Sequence, residues 1–437
     1  MEVNRDIRYY LDDLDPKATA AIVYVLDHIA RDYKVSFQRT DFKENADITM
    51  GEGEEDDFFI ASNKLSAIID QDLDLKELFK IQNGVPLISN KGKVDYLLSA
   101  FVLLSGIQEW ISKKKDKWGR FPYEGSFQEK FGQAQVAWVD LYFENIYETL
   151  KSKINLPNVK KPPSNVVLTH DIDLLRWPIF QNGKHFLKKN LPSNSVEALH
   201  NLPTLFRNTR KNIDNILELE RQFGVHSVFF WLTEKGRGKF GIKNADYSIK
   251  SPYVMKAMEH IKQSESVNAL HKSSKDKALL KELEGYSQLS PINRYHFLLF
   301  DLLENGPELN RTVKQDYSYG FAEQPGFRNS YSLPFHPFDF DNWRPFQFLE
   351  VPLHIMDNTF HTYLGNSPKQ ANEHINEFMS RHKRGSCLSI LWHNEFFTPF
   401  RYAGWGQLYE QLLKFLFVEN DYNCILPEGI EKKYRIY

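Results

Sequence analysis

The sequence predicts an α/β protein, with a largely parallel sheet or barrel preceded by a smaller α+β domain. Three observations support this fold class. The chain has 437 residues, which is more than a domain with a single hydrophobic core usually contains. A polar stretch with three prolines, INLPNVKKPPSN, interrupts it at residues 154–165. Beyond that stretch, short apolar runs alternate with helical segments, which is typical of parallel strands joined by helices.

The first part, residues 1–157, is predicted to form the smaller domain. Residues 16–31 have the pattern of a helix, and residues 51–57 form an acidic loop. The most apolar run, YLLSAFVLLSGI at residues 96–107, has only about half of the roughly 20 residues that a membrane span requires. We therefore expect a buried core helix there and no transmembrane segment.

The stretch 154–165 is predicted to be a linker, because proline cannot join a helix interior or a central strand. The sheet or barrel would then occupy residues 165–437. The candidate strands are 166–169, 227–232, 266–270, 312–315, 347–351, 388–392 and 423–426.

Residues 174–211 are long for a connection between a strand and a helix, and they are rich in Lys, Arg and His. We interpret them as an insertion over one rim of the sheet. The simpler interpretation is a solvated basic loop. The alternative is a grip on an anionic ligand or a membrane surface.

Composition restricts the classes of partner. The formal net charge of −2 lacks the positive field that non-specific nucleic-acid binding requires, so no nucleic-acid partner is expected. Two cysteines, Cys387 and Cys424, are too few for a disulfide framework and fit a reducing compartment. The start, MEVNRDIRYYLDDLD, has charges where a signal peptide has its apolar run, so a cytoplasmic location is expected.

The first chemical motif is VVLTHDID at residues 166–173. Strand side chains alternate, so Thr169, Asp171 and Asp173 are expected on one face at the carboxyl end, where α/β folds place active sites. Two ionised carboxylates this close repel each other, which is relieved when one binds a cation and the other acts as a base. The alternative is an aspartate-rich helix N-cap.

Two further apolar runs end in histidine. His271 follows the run SVNAL, and a neutral imidazole there would complete a metal site. His393 and Glu395 share a face at the end of the run LSILW. Taken alone, each histidine is also explained by a turn or core position. Together with the aspartates, however, these strand ends are expected to meet at one rim of a parallel sheet or barrel.

These residues resemble the polysaccharide deacetylases of the carbohydrate esterase 4 type, which share a deformed (β/α) barrel. The resemblance covers residues 166–427. A different N-terminal domain before the barrel looks like a divergent branch found with bacterial surface-polysaccharide synthesis. Thr169, Asp171 and Asp173 match the family's first motif. The resemblance implies that Asp171 is the general base and Asp173 a metal ligand.

The same resemblance implies that His271 is a metal ligand and His393 the general acid. The family usually has a second metal histidine four residues after the first, where this chain has Lys275. A catalytic zinc normally takes three protein ligands, so either another residue completes the site or the metal is lost. The best replacement in the sequence is His296, and the expected metal is zinc. The other candidates are His336 and His354.

Residues 316–335 resemble the region that supplies the family's arginine, so Arg328 is expected to orient Asp171. Asp316 and Glu395 are expected to bind substrate.

Aromatic side chains are a further source of substrate contacts, since sugar rings stack well on aromatic faces. Trp405 lies between two glycines in RYAGWGQ, just after the strand that leads to His393. We expect it to be a stacking platform for a carbohydrate.

The predicted function is a metal-dependent hydrolase that removes an acetyl group from an N-acetylated sugar in bacterial surface-polysaccharide biosynthesis. The alternative is a carbohydrate-binding or assembly protein that keeps the barrel but has lost catalysis, which Lys275 supports. Geometry separates the two, because a competent zinc site needs Asp173, His271 and a third ligand within about 2.0–2.2 Å of one point.

Overall fold

A computed structural model of the chain describes residues 5–53, 55–70, 75–90, 92–112, 114–175, 210–399 and 401–437. The predicted basic insertion at 174–211 therefore lies almost wholly outside the described residues. The first part of the chain contains a small parallel sheet and several helices. The second part is built on a larger parallel sheet, whose carboxyl edge carries most of the candidate residues.

The first part has a four-stranded sheet in the order β2-β1-β3-β4, and all its pairings are parallel. Its strands are β1 (Arg5–Leu11), β2 (Val35–Arg39), β3 (Ile48–Gly51) and β4 (Phe58–Phe59). Two short hairpins follow, formed by β5 (Lys80–Gln82) with β6 (Val85–Leu87) and β7 (Ser89–Asn90) with β8 (Lys93–Val94). The helices are α1 (Pro16–Tyr33), α2 (Ser62–Ile69), α3 (Leu75–Leu78), α4 (Tyr96–Leu104), α5 (Ile107–Ile111), α6 (Phe127–Lys130) and α7 (Trp138–Lys153).

Both helices predicted in this part are confirmed. Helix α1 begins where Pro16 supplies a preset backbone angle and the Asp15 carboxylate accepts the N–H of Lys17 at 2.8 Å. Helix α4 is the buried helix expected from the apolar run, and every residue from 97 to 104 is buried. Within the described ranges, no helix combines the length and apolarity needed to cross a membrane.

Residues 154–164 connect α7 to the larger sheet as a mostly exposed, irregular segment. The hydrophobic core does not stop there, since one cluster of buried side chains includes both Phe101 of α4 and Tyr331 of the second part. Helix α1 also contacts the second part through Arg31, whose Nη1 donates to the carbonyl of Pro334 at 2.7 Å. The division into domains at 1–157 and 165–437 stays a prediction.

The larger sheet has nine strands in the order β16-β13-β12-β11-β10-β9-β18-β17, with β19 also paired to β9. All of its pairings are parallel. The strands are β9 (Asn165–Ile172), β10 (Ser227–Leu232), β11 (Val267–Lys272), β12 (Ser290–Tyr295), β13 (Gln315–Asp316), β16 (Leu349–Glu350), β17 (Leu353–Met356), β18 (Cys387–Leu391) and β19 (Asn423–Cys424). Outside it, β14 (Phe338–Asp339) and β15 (Arg344–Pro345) form an antiparallel pair.

The edges of this sheet show that it is curled. The edge strands β16 and β17 are separated along the chain only by Val351 and Pro352. Two strands so close in sequence must lie near each other, so the sheet bends round until its edges approach without pairing. This confirms the predicted deformed (β/α) barrel. The surrounding helices are α8 (Arg210–Gln222), α9 (Pro252–Gln263), α10 (Leu279–Leu283), α11 (Leu302–Thr312), α12 (Pro368–Arg381), α13 (Trp405–Phe417) and α14 (Pro427–Tyr434).

The sequence prediction missed two strands of the barrel, β12 and β17. It also placed a strand at 312–315, where helix α11 ends and only Gln315 is in a strand. His296 was expected just before a strand region. In the structure it comes directly after β12, which places it at the carboxyl edge of the barrel.

Candidate metal centre and active site

The carboxyl end of β9 carries the aspartates of the first motif. Thr169 and Asp171 lie on one face, as alternation predicted, because the same guanidinium nitrogen contacts both. Nη1 of Arg294 donates to Thr169 Oγ1 at 2.9 Å and to Asp171 Oδ1 at 2.8 Å. Asp173 follows immediately after the last residue of the strand, so it extends from the rim.

The next strands along the sheet bring two histidines to the same rim. His271 lies in β11 and His296 directly follows β12, its parallel neighbour. Nδ1 of His271 bonds to the carbonyl of Arg294 at 2.9 Å, and Nε2 of His296 bonds to the carbonyl of Lys243 at 2.9 Å. A carbonyl only accepts, so these ring nitrogens carry the protons. His271 Nε2 and His296 Nδ1 are left facing the site.

Asp173, His271 and His296 form a compact group of potential metal ligands. His271 Nε2 lies 3.4 Å from Asp173 Oδ1, and His296 Nδ1 lies 3.5 Å from the same oxygen. The two ring nitrogens are 3.1 Å apart. Ligand atoms around a tetrahedral ion with bonds of about 2.0–2.1 Å are separated by about 3.3 Å. The spacing of these three atoms therefore fits a zinc-sized ion.

A second observation supports the fit. Asp173 Oδ1 is buried, yet it has no hydrogen-bond partner among the described residues. A buried oxygen without a partner is costly, and a bound cation removes that cost. The carbonyls that hold the two imidazoles supply the outer contacts that usually fix the orientation of metal-binding histidines.

The charges of the site are strongly coupled. Burial favours the neutral form of Asp173, but a positive charge on the adjacent His296 or His271 outweighs it and lowers the pKa of that carboxyl. Burial acts in the same way on Asp171, where His271 and Arg294 overcome it and lower the pKa. Both aspartates are thus held ionised beside the imidazoles.

The arginine expected at Asp171 was wrongly assigned. Arg328 does not contact that carboxylate, because its Nε and Nη2 donate to Glu109 of α5 at 2.7 and 2.5 Å. Arg294 holds Asp171 instead. A buried arginine needs a nearby carboxylate, and Arg328 finds one in the first part of the chain rather than inside the barrel.

His393 follows β18 at the same rim, as predicted. Its Nδ1 lies 2.7 Å from Asp357 Oδ1, and its backbone N–H donates to Asp357 Oδ2 at 2.6 Å. Burial acts to lower the pKa of His393, but the Asp357 carboxylate prevails and raises the pKa to about 10. The imidazole is therefore held protonated, with Nε2 free of this contact.

A cavity of about 370 Å³ joins these groups. Its lining includes Asp171, Asp173, His296 and His393. Glu395 also lines it, as a substrate-binding residue would. The Glu395 carboxyl accepts the hydroxyl of Tyr402 at 3.0 Å, and burial raises its pKa. Its role as a contact to substrate stays a prediction.

Two other predicted substrate contacts are wrong. Trp405 is only 2% exposed and packs at the start of α13 against Trp392 and Phe396, so no ligand reaches its ring. Asp316 is fully buried, and its Oδ1 accepts the Asn293 amide at 2.6 Å. Neither residue lines the cavity. In RYAGWGQ, Gly404 precedes the first residue of α13 and Gly406 lies in its first turn.

The remaining histidine candidates also lie elsewhere. Nδ1 of His336 bonds to the carbonyl of Phe346 at 3.1 Å, and Nδ1 of His354 accepts the N–H of Ser389 at 3.0 Å. Lys275, at the family's second histidine position, lies 3.6 Å from Glu234. His296 offers an imidazole nitrogen to the group formed with Asp173 and His271, as a second metal histidine would.

Sequence analysis missed two residues of the site, Arg294 and Asp357. Each belongs to a strand end that the prediction did not recognise. Asp357 follows β17 in EVPLHIMD, a short apolar run that ends in an acid like the other strand ends of the rim. Arg294 lies within β12, two residues before His296.

Residues 14–155 match the model of a family of unknown function, DUF7033. The comparison with curated proteins gave no match.

The chain is also similar, at low identity, to solved structures. A candidate polysaccharide deacetylase from Mycobacterium smegmatis matches with 10% identity and a TM-score of 0.36, covering 61% of this chain and 88% of that one. The catalytic domain of a peptidoglycan N-acetylglucosamine deacetylase from Eubacterium rectale matches with 10% identity and a TM-score of 0.27, covering 62% and 93%. A CE4 family pseudoenzyme from Bacillus anthracis matches with 12% identity and a TM-score of 0.25, covering 64% and 71%.

Proposed function

We propose that this protein is a metal-dependent hydrolase that cleaves the amide of an N-acetylated sugar and releases acetate. The observation that carries the proposal is the convergence of three potential ligand atoms beside a base and an acid. His271 Nε2, His296 Nδ1 and Asp173 Oδ1 lie 3.1 to 3.5 Å apart, and two of them are turned to the site by backbone carbonyls.

Asp173, His271 and His296 would hold a divalent ion, most suitably zinc, since two imidazoles and a carboxylate match its ligand preferences. When bound, the ion would polarise the amide carbonyl and make a coordinated water more acidic.

Asp171 is the proposed general base. Arg294 holds its Oδ1, while Oδ2 faces the site 3.3 Å from His271 Nε2. The lowered pKa keeps the carboxylate ionised, so Oδ2 is able to take a proton from the attacking water. Arg294 fixes the orientation of that carboxylate and does not itself exchange a proton.

His393 is the proposed general acid. Asp357 holds its Nδ1, so Nε2 carries the proton that His393 donates to a substrate in the cavity. Addition of water to the acetyl carbon is followed by cleavage of the C–N bond, and the departing nitrogen takes the Nε2 proton. The products are acetate and a free sugar amine.

The cytoplasmic location and the place in bacterial surface-polysaccharide biosynthesis belong to the same proposal. They rest on the resemblance seen in the sequence. A carbohydrate substrate is supported by the mixed lining of the cavity, where carboxylates lie beside aromatic rings such as Phe297 and Phe396.

Metal analysis and an acetate assay test the proposal together. Purified protein should contain close to one equivalent of divalent metal, and Asp173→Asn should lose it. Asp171→Asn should keep the metal and lose acetate release from N-acetylhexosamine derivatives. Protein that binds no metal at micromolar zinc would contradict the proposal. Protein that binds metal and sugar but releases no acetate would support the carbohydrate-binding alternative instead.

A further inference from the structure

The turn at residues 116–120, DKWGR, is a rigid element of the first part of the chain. Asp116 Oδ1 accepts the N–H groups of Trp118 and Arg120 at 2.8 and 2.9 Å. The Arg120 guanidinium donates back to Asp116 Oδ2 at 2.8 Å. Gly119 has φ +81°, which allows the chain to turn tightly after the tryptophan. These bonds fix the position from which the Trp118 ring projects.

The turn contacts the barrel at the mouth of the active-site cavity. Nη1 of Arg120 donates to the carbonyl of Phe297 at 3.0 Å, next to His296. The Trp118 ring packs edge-on against Phe297 at a centroid distance of 5.1 Å and against Phe240 at 6.5 Å. Trp118 and Arg120 both line the cavity that contains the candidate catalytic groups. The first part of the chain thus forms one wall of the site.

Trp118 and Phe240 also line a second cavity of about 270 Å³. The two cavities therefore adjoin, with these two rings shared between them. The first cavity contains the aspartates and His393, while the second contains none of the proposed catalytic residues. A ligand that fills both would extend away from the reactive amide across the aromatic rings.

The backbone around these rings supports a role in binding. Phe240 has φ +56° and Phe297 has φ +63°, in the left-handed region that non-glycine residues rarely adopt. Residues held in this region are strained and tend to cluster at ligand sites. Phe240 is also 56% exposed, so burial of its ring within the protein does not explain the strained conformation.

The polar lining of the second cavity suits a neutral, hydroxylated ligand. Lysines line the second cavity, but two of them form ion pairs with carboxylates. Lys272 Nζ lies 2.9 Å from Glu282, and Lys277 Nζ lies 2.6 Å from Glu234. Ser273, Asn305 and several acidic groups contribute further hydrogen-bonding side chains. A phosphate-bearing ligand would meet about as many negative as positive groups, whereas a sugar would find both donors and acceptors.

We propose that the turn at 116–120 is a substrate-binding element, and that the substrate is an oligosaccharide rather than a single sugar. This inference rests on the proposed function for the sugar held at the metal centre. The adjacent sugar unit stacks on Trp118 and Phe240 and enters the second cavity. The segment that matches the family of unknown function thereby acquires a role in setting the length of the substrate.

Calorimetric binding of N-acetylglucosamine and its di-, tri- and tetramer tests this proposal in the full chain. Asp171→Asn is the background, so that no ligand is consumed. The trimer should bind at least about tenfold more tightly than the monomer, and Trp118→Ala should reduce that ratio by about tenfold. Trp118→Phe keeps a stacking face and should restore most of it. Phe42→Ala, which removes a 60% exposed aromatic side chain outside both cavities, is the matched control.

Three results would each overturn the proposal. They are equal affinity for monomer and trimer, no binding of any oligomer, and equal effects of Trp118→Ala and Phe42→Ala. The acetate assay separates this failure from failure of the proposed function. Metal-dependent acetate release without preference for the trimer would leave the hydrolase intact and remove the second sugar site. If the trimer binds in a Trp118-dependent way but the unsubstituted protein releases no acetate, the second sugar site stands and the hydrolase proposal fails.

Discussion

His296 Nδ1 lies 3.1 Å from His271 Nε2, and backbone carbonyls engage the opposite nitrogen of each ring. Two neutral imidazoles in this arrangement direct lone pairs at each other, which is unfavourable unless a cation or a proton lies between them. The carboxylate of Asp173 faces the same point. The pair is thus arranged to bind a positive charge, although 24 residues separate the two histidines in the chain.

The first prediction concerns His296. His296→Gln should lower zinc affinity by at least about tenfold, because one of three protein ligands is lost. Competition with a chromogenic chelator measures the affinity directly. His260→Gln, at an exposed histidine of α9 remote from the rim, is the matched control and should keep the affinity of the unsubstituted protein. Equal zinc affinity of the His296 variant and the control would remove His296 from the site.

The second prediction separates the two buried arginines. Arg294→Lys should lower kcat by about tenfold or more, because it loosens the carboxylate proposed as the base. Arg328→Lys should leave kcat within about threefold of the original, yet lower the unfolding free energy by about 1–3 kcal/mol through the weakened contact to Glu109. Steady-state kinetics and urea denaturation check both variants. A larger loss of kcat in Arg328→Lys would restore the assignment made from the sequence.

The third prediction is a pH dependence. The Asp357 carboxylate raises the pKa of His393 to about 10, and an acid must be protonated to act. Asp357→Asn removes that charge, so the pKa of His393 falls. The alkaline limb of the pH profile, where His393 loses its proton and activity declines, should therefore move to lower pH. The pH profile of kcat/KM measures the shift. An unchanged alkaline limb would show that His393 is not the group that titrates there.

The fourth prediction concerns Trp405. Since its ring is buried among Trp392 and Phe396, Trp405→Ala should lower the unfolding free energy by about 3–5 kcal/mol. Trp118→Ala removes a ring that is only half-buried and should cost clearly less. Denaturation followed by circular dichroism compares the two. The assignment of Trp405 to the core fails if the variant is as stable as the original protein and binds carbohydrate more weakly.

The strands that sequence analysis recognised are those whose residues are mostly apolar. SVFFWL of β10 and CLSIL of β18 are buried throughout, so their composition alone identified them. The motif in β9 was equally clear, because its first residues are apolar and its aspartates come only at the carboxyl end. These strands sufficed to predict a parallel sheet or barrel and to place the rim residues together, whereas the choice of a deformed (β/α) barrel came from the family resemblance.

The two missed strands differ in kind. Strand β17 is mostly apolar but only two residues separate it from β16, so the two were not recognised as separate strands, whereas β12 is polar. Strand β12, SPINRY, begins with a serine and a proline and has the polar residues Asn293 and Arg294 in consecutive positions, so it lacks the apolar run of a buried strand. The carboxylate partner of Arg328 could not be inferred either, because Glu109 is distant in sequence and belongs to the other part of the chain. Contacts of this kind depend on packing, not on local pattern.

The contact between Arg328 and Glu109 bears on how the chain can be dissected. A fragment that begins at residue 165 would keep the buried Arg328 guanidinium but lose its ion-pair partner Glu109, and it would also uncover the mouth of the cavity. Such a truncated barrel should aggregate on expression, whereas the whole chain should melt in one cooperative step. Truncation would then report on folding and not on the chemistry of the barrel.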